Sequence, residues 1–377
     1  MRPMVNAAPS AARLSPPNGV LGANFNGDPK IMTWAGLEQA EATWVRGFAA
    51  MPDFDEGDKE DSNSHLAVDT LLGAVNRDYG AVLSLKFPYF PKKNEPIPRP
   101  GTEEMKKDLA RVDAVLTKVM GEVDLLVIGN EPFIECPEDD RTNGAINDFY
   151  EAVAQHVIDY RTKKFPDGCK TVLYMGALNY LDDPKWIHSG TERWMKYVRE
   201  TPEIEGTDIH PHVNKPDGAQ VYLDYILPRL GDKKFLATEF SLVHLWGDHL
   251  EEKIPAAYAQ KYKVPADTEV WQVIRNALDE AFPKERWYDF LRESPWFEGN
   301  KHYLSEQMAK FRATEKLAVA TYGIGQDAAM SENEFTEKST PWLLNSIYAS
   351  ATVRPEPNGH AAPNYAWLED FKRAQTS

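Results

Sequence analysis

Eight short apolar runs alternate with helical segments, which predicts an α/β protein: a (β/α)8 TIM barrel with a long helical insertion between strands 7 and 8. Three observations carry this. The alternation runs in chain order without an internal break from Gly19 onward. The runs are short, rich in β-branched residues and bounded by Gly and Pro, as strands buried on both faces are. No Gly-rich phosphate loop opens a helix after the first strand, which separates the pattern from a doubly wound nucleotide-binding sheet.

Residues 1–18 are rich in Ala, Pro and Ser and lack the apolar core of a secretion signal, so they are expected to be a disordered lead-in. A secreted protein whose leader has been removed and a cytoplasmic protein both fit this start. The remainder, 19–377, reads as one barrel unit. Strand 1 spans 20–25 and ends among Asn24, Asn26 and Gly27. A helix over 33–43 places Trp34, Leu37 and Ala40 on one side. Strand 2 covers 43–48, with Arg46 near its end. After a polar loop over 53–64, apolar spacing marks a helix over 65–76. Strand 3, 81–86, ends on Lys86, ahead of a Pro- and Lys-rich loop. The helix over 102–120 has Thr102 as its cap and Gly121 as its stop.

Strand 4 is the run Asp-Leu-Leu-Val-Ile-Gly that leads into Asn130, Glu131 and Pro132. A helix over 145–164 follows, then strand 5 over 171–175 with Asn179 and Tyr180 beyond it. After a helix over 186–200, strand 6 covers 207–212. A helix over 222–230 leads to strand 7 over 234–239. Strand 8 covers 317–322, with helices expected over 341–350 and 365–373. Between strands 7 and 8, residues 240–316 far exceed the one helix and two short loops of an ordinary unit. This segment carries Trp246, Trp271, Trp287, Trp296 and Phe297, with helical pieces near 271–282 and 284–292. It leaves the barrel at the C-terminal face, where barrel active sites sit, so its first part is expected to wall or cover the site.

The formal net charge of −16 argues against nucleic acid and against anionic membrane as partners, since no basic face is present to displace counterions. No stretch is long and apolar enough to span a bilayer. Composition does not disclose oligomeric state. Ten Trp residues serve core packing or offer flat faces for sugar rings. The two cysteines, Cys136 and Cys169, fall at opposite ends of a barrel and have no metal-type spacing, so neither a disulfide nor a thiolate metal site is expected. No cofactor is implied.

A buried strand does not normally end on a carboxylate, because an ionised Glu out of water is costly unless paired or put to use. Strand 4 leads to Glu131 and strand 7 ends on Glu239. In a barrel these strands face each other across the mouth. Two carboxylates there, roughly 5 Å apart, suit retaining glycoside cleavage, in which one is protonated and the other ionised.

Asn130-Glu131-Pro132 after strand 4, with Thr238-Glu239-Phe240 at strand 7, resembles clan A of the retaining glycoside hydrolases. The resemblance covers the barrel, roughly 19–350, and does not single out a family within the clan. It implies a carbohydrate substrate, with Glu131 as general acid/base and Glu239 as nucleophile. It implies that Asn130 contacts the substrate 2-hydroxyl and that Arg46 keeps the nucleophile ionised. Many clan members read His-Pro-Tyr at strand 6, where this chain has His210-Pro211-His212; His212 is expected to replace the Tyr as donor to Glu239, or both histidines to line the sugar site. The clan often ends strand 8 with a Trp floor. Here Tyr322 is in that place, with Trp342 or an insertion aromatic such as Trp246 as substitutes. Lys86, Asn24, Asn26, Asn179 and Tyr180 are further strand-end candidates for sugar contacts.

Two rival readings fit the same residues. Glu131, Asp208, His210, His212 and Glu239 are suitable ligands for a divalent metal, as in metal-dependent sugar isomerases on the same barrel. A catalytically inactive carbohydrate-binding barrel is the other, although both glutamates are retained.

Overall fold

The computed structural model describes residues 17–55, 62–91, 94–326 and 334–376. Most of the expected lead-in, residues 1–16, lies outside them. Eight parallel strands close on themselves in chain order: β1 (Val20–Asn24), β2 (Trp44–Ala50), β3 (Gly80–Lys86), β4 (Leu125–Ile128), β5 (Val172–Leu178), β6 (Ile204–Ile209), β7 (Lys234–Ala237) and β8 (Leu317–Gly323). β1 and β8 seal the barrel in the register Val20↔Val319 to Asn24↔Gly323.

Helices cross over between the strands: α1 (Trp34–Gln39), α2 (Asn63–Val75), α3 (Glu103–Val119), α4 (Glu138–Thr142), α5 (Ala145–Lys164), α6 (Ser189–Glu200) and α7 (Ala219–Leu230). α3 shows why these segments fold locally. Thr102 caps it by accepting from the Met105 amide, Glu103 and Glu104 sit in its first turn, and Lys118 lies in its last. Each satisfies an orphan amide or complements the helix dipole.

Period-two alternation in the strands decides what fills the barrel. The interior row begins apolar, with Val20, Trp44, Val82, Leu125, Val127, Tyr174, Leu236 and Val319 in one cluster. Two positions further along their strands, or four in the case of Asn24, the same face carries Asn24, Arg46, Ser84, Thr238 and Thr321 in place of aliphatic side chains, all buried. The lower barrel is therefore a packed plug and the upper barrel a polar floor. The outer layer, between strands and helices, holds the larger apolar core.

The segment after β7 forms α8 (Val243–Asp248), α9 (Ala256–Tyr262), α10 (Val270–Asp279), α11 (Lys284–Glu293) and α12 (Pro295–Glu298). It is followed by α13 (Tyr303–Ala313), which packs against β8 and against α14 (Trp367–Thr376). α13 was not anticipated, although Tyr303, Leu304, Gln307, Met308 and Phe311 have helical spacing and are all buried. The helix expected over 341–350 is only a short 3-10 turn, Trp342–Asn345. Its carbonyls and amides are drawn into bonds with the β8 end instead, such as the Ile347 amide to Gly323.

The insertion has an aromatic core of its own. Trp246 stacks on Phe297 at 5.1 Å and meets Trp296 at 5.6 Å, and Trp287 packs on Phe290 at 5.6 Å. Cys136 is buried, Cys169 is half-buried, and both are free thiols.

Candidate active site

Gly129 sets the first half of the site. It follows β4 with φ of 101°, a left-handed conformation that side chains disfavour, and a Cβ there would come within 2.7 Å of Pro132 Cγ and 2.8 Å of Tyr150 Cε1. The turn lifts Asn130 and Glu131 to the barrel mouth. Glu131 Oε1 accepts from Asn179 Nδ2 at 2.7 Å and from His210 Nδ1 at 3.0 Å. Asn179 arrives just past β5 and His210 just past β6, so three successive strand ends converge on one oxygen.

Glu239 lies two residues past β7. Its Oε1 accepts from Arg46 Nη1 at 2.6 Å and sits 3.8 Å from His210 Nδ1; its Oε2 sits 3.6 Å from His212 Nε2. One carboxylate oxygen of Glu131 and one of Glu239 lie within 4.8 Å of each other. His210 stands between them.

Arg46 is fully buried and organises the floor. Its Nη1 also bonds Asn24 Oδ1 at 3.3 Å and Asn26 Oδ1 at 3.2 Å, and its Nη2 bonds Ser84 Oγ at 3.2 Å and Asn130 Oδ1 at 2.5 Å. Asn130 in turn donates to Glu135 Oε1 at 2.8 Å, and Lys86 Nζ pairs with the same oxygen at 2.9 Å. The chain Glu239–Arg46–Asn130–Glu135–Lys86 links four strands, β7, β2, β4 and β3, through alternating donors and acceptors. The Asn130 amide is oriented from both sides, with one N–H hydrogen remaining.

The charges settle differently from the expected split. Burial alone would raise Glu131, but the hydrogen bond from His210 and the His210 and Lys86 charges outweigh it and hold it below the usual carboxylate range. Burial opposes ionisation of Glu239 too, yet the charges of His210 and Arg46 and the nearby His212 hold it well below that range. His210 is pushed the other way. Burial disfavours its charge, but Glu239, Asp208 and its bonds to Asp208 and Glu131 raise it to about 10. The proton therefore rests on the imidazole, with both glutamates ionised.

The second nitrogen of His210 explains how it holds that charge. Nε2 donates to Thr238 Oγ1 at 2.9 Å and lies 3.3 Å from Asp208 Oδ2. The Thr238 hydroxyl donates to Asp208, whose Oδ1 also accepts the Ile209 and Thr238 amides at 2.8 and 3.0 Å. The Asp208 carboxylate, held in place by these donors, faces Nε2 and favours the charged imidazolium.

A stability prediction follows. A histidine raised in the folded state contributes stability fully present below its ordinary value near 6.5 and lost as pH rises toward about 10. Denaturant unfolding should show stability falling across that window, and His210→Gln should flatten that part of the profile. An unchanged slope in the variant would assign the effect to other groups.

Several anticipated contacts lie elsewhere. Tyr322 is one residue off the inward-facing Thr321, so it points outward; it is 1 % exposed and packs on Phe240 at 5.4 Å and Trp367 at 5.6 Å. It is core and not the floor of a sugar site. Trp246 is fully buried in the insertion and cannot present a ring face to a ligand; its indole N–H donates to Asn345 Oδ1 at 2.9 Å. Trp342 takes the place beside Glu239. Its ring meets His212 edge-on at 4.8 Å, and it lines a small pocket with Asn24, Asn26, His212, Glu239 and Thr321.

Tyr180 is exposed, adopts φ of 53°, and packs on Trp186 at 4.7 Å with His244 of α8 at 6.4 Å. The insertion thus reaches the site through α8, while its tryptophans mostly face inward. Glu135, Ser84 and Ser241 were not anticipated. Ser84 carried a signal, two positions past Val82 on the inner face; Glu135 and Ser241 lie in loops where no periodicity operates.

Glu131, His210, His212 and Glu239 also each present one possible ligand atom within 4.8 Å of the others. The donor chemistry fits a divalent ion poorly. His210 spends both nitrogens on protein partners, and the Arg46 guanidinium already occupies Glu239 Oε1. A cation among them would meet two positive groups.

No protein-family model matches the chain, and no curated protein matches it by sequence. Solved structures do match in fold. A thermostable mutant of a xylanase from Cellvibrio japonicus aligns with a TM-score of 0.54 at 12 % identity, covering 97 % of this chain and 99 % of that one. A glucosidase from Croceicoccus marinus gives 0.53 at 12 % identity, covering 97 % and 68 %. A family 39 glycoside hydrolase from the gut symbiont Bacteroides cellulosilyticus gives 0.53 at 12 % identity, covering 96 % and 64 %. The (β/α)8 barrel is thus shared with glycoside-cleaving enzymes. No helix among the described residues is long and apolar enough to cross a membrane.

Proposed function

We propose that this protein is a retaining β-glycoside hydrolase of clan A that cleaves β-linked oligo- or polysaccharides by double displacement. The observation that carries the reading is the pair Glu131 and Glu239, with carboxylate oxygens within 4.8 Å across the barrel mouth. Retaining pairs stand roughly 5–5.5 Å apart, whereas inverting pairs leave room for a water between them.

Glu239 is the nucleophile. Arg46 occupies Oε1, which leaves Oε2 to attack the anomeric carbon as the bond to the leaving oxygen breaks. Glu131 gives that oxygen its proton. Its Oε1 is occupied by Asn179 and His210, so Oε2 delivers it. A sugar packed against Glu131 raises its pKa, so that the carboxyl takes up a proton from solvent on Oε2 and passes it to the leaving oxygen as the glycosidic bond breaks. In the second step Glu131 takes a proton from water, water oxygen bonds to the anomeric carbon, and the ester to Glu239 breaks. Configuration is retained after two inversions.

The net charge of −16 and the three carboxylates Glu131, Glu135 and Glu239 around the mouth favour neutral sugars over uronates. Lys86 is committed to Glu135 and offers its remaining N–H groups to a hydroxyl. Exposed Tyr180, next to Asn179 on the Glu131 side, is the aromatic assigned to the leaving group in this reading.

Proton NMR during early hydrolysis of aryl β-glucoside, β-xyloside and β-mannoside substrates tests the reading. The β-anomer should appear first and mutarotate afterwards. Initial release of the α-anomer, or no hydrolysis of any β-glycoside in the panel, would remove the proposal.

A further inference from the structure

The side chain that faces Glu239 Oε2 at 3.6 Å is His212 and not a phenol, and an imidazole raises a question that a phenol does not. A neutral imidazole carries one N–H and one lone pair, and only one of its two tautomers turns a donor toward a carboxylate. His212 Nε2 is buried, has no hydrogen-bond partner among the described residues, and lies 3.6 Å from Glu239 Oε2. A lone pair at that position would face the lone pairs of an ionised carboxylate.

The other nitrogen answers the question. His212 Nδ1 lies 2.8 Å from Ser241 Oγ. Ser241 is 2 % exposed, and its oxygen already accepts the Val243 amide at 3.3 Å. The oxygen keeps a second lone pair, so the direction is decided at the other end of the ring: the Glu239 carboxylate opposite Nε2 disfavours a lone pair there, and the serine proton is directed to Nδ1. Nδ1 then accepts, and the imidazole proton resides on Nε2, toward Glu239.

The pair is built into the backbone. Past the ends of β6 and β7 the two strands meet once more in a parallel bridge between His212 and Ser241. The Val213 amide bonds the Ser241 carbonyl at 3.0 Å, and the Ser241 amide bonds the Pro211 carbonyl at 3.1 Å. Trp342 closes against the ring edge-on, which limits rotation about the side chain.

We infer that Ser241 is a positioning residue that fixes the Nε2–H tautomer of His212, so that His212 presents a donor to the nucleophilic oxygen of Glu239. The inference rests on the assignment of Glu239 as nucleophile for its catalytic consequence. The tautomer itself does not.

The test uses the full chain with 15N-labelled histidine. Imidazole 15N shifts at about pH 8, above the ordinary imidazole range, report the tautomer, with the His212 signal identified by its loss in His212→Gln. The unaltered protein should show Nε2–H. Ser241→Ala should admit the Nδ1–H tautomer and lower kcat by about 10- to 100-fold, less than outright removal of a charge-stabilising donor can cost, with KM nearly unchanged. Ser241→Thr, which keeps the hydroxyl, should restore both. A purely structural serine would leave the tautomer alone.

An Nδ1–H tautomer or a doubly protonated ring in the unaltered protein would overturn the inference, as would Ser241→Ala retaining Nε2–H or full kcat. Failure of the nucleophile assignment reads out separately, as failure of azide to rescue Glu239→Ala, and leaves the tautomer measurement standing.

Discussion

Glu239→Ala should abolish turnover of β-glycosides, with kcat falling on the order of 10⁵-fold or more, as expected when a nucleophile is removed. Azide should restore cleavage of activated aryl glycosides and yield the α-glycosyl azide. The small anion enters the space vacated by the carboxylate and attacks once, so configuration inverts. The substitution also strips Arg46 of its 2.6 Å partner while the guanidinium stays fully buried. Breaking a buried pair on one side costs roughly 3–5 kcal/mol, so the variant should unfold at lower denaturant than the parent. Glu239→Gln keeps the volume and separates the two effects: activity should still vanish, with a smaller loss of stability. Near-normal hydrolysis by either variant would refute the assignment.

Glu131→Ala should divide substrates by leaving group. Glycosides with poor leaving groups need the proton, and their kcat/KM should fall by about 10²–10⁴. Dinitrophenyl glycosides need no proton, so their first step should proceed. The second step then lacks its base, and a burst of phenol followed by a slow steady state should appear. Azide should accelerate that steady state and yield the β-glycosyl azide, of opposite configuration to the product from Glu239→Ala. Equal losses for good and poor leaving groups, without a burst, would place Glu131 outside proton transfer. Asn179 and His210 both rely on Glu131 Oε1 as acceptor, so measurements on the variant should include its unfolding curve.

Much of the barrel was legible in the chain, and for identifiable reasons. The run before Gly129 has no polar residue to spare for solvent, and only a strand covered on both faces suits it. α5 was legible residue by residue, because a 20-residue helix averages out local exceptions. The weak points were short elements and loops. The 3-10 turn at Trp342–Asn345 has apolar residues in a helical spacing, but tertiary bonds to the β8 end outcompete a longer helix. Tyr322 was misplaced by one position, and in a strand one position is the difference between lumen and outer layer. Trp246 shows a different limit: an aromatic on a chain segment near the mouth is as readily core as platform, and its environment depends on Trp296 and Phe297, about fifty residues away.

The sequence by itself determined the barrel, the order of its strands and the delivery of two glutamates to its mouth. Those follow from periodicity and from the cost of ending a buried strand on a carboxylate, both local properties. Only the tertiary structure decided where the proton rests, which oxygen of each glutamate is occupied, and which side chains brace the site. His210, Asp208, Arg46, Asn130 and Ser241 come from four different strand ends, and their bonds depend on turns such as Gly129 that break the alternation of the strands. Their charges act on one another through space, so no reading along the chain contains them.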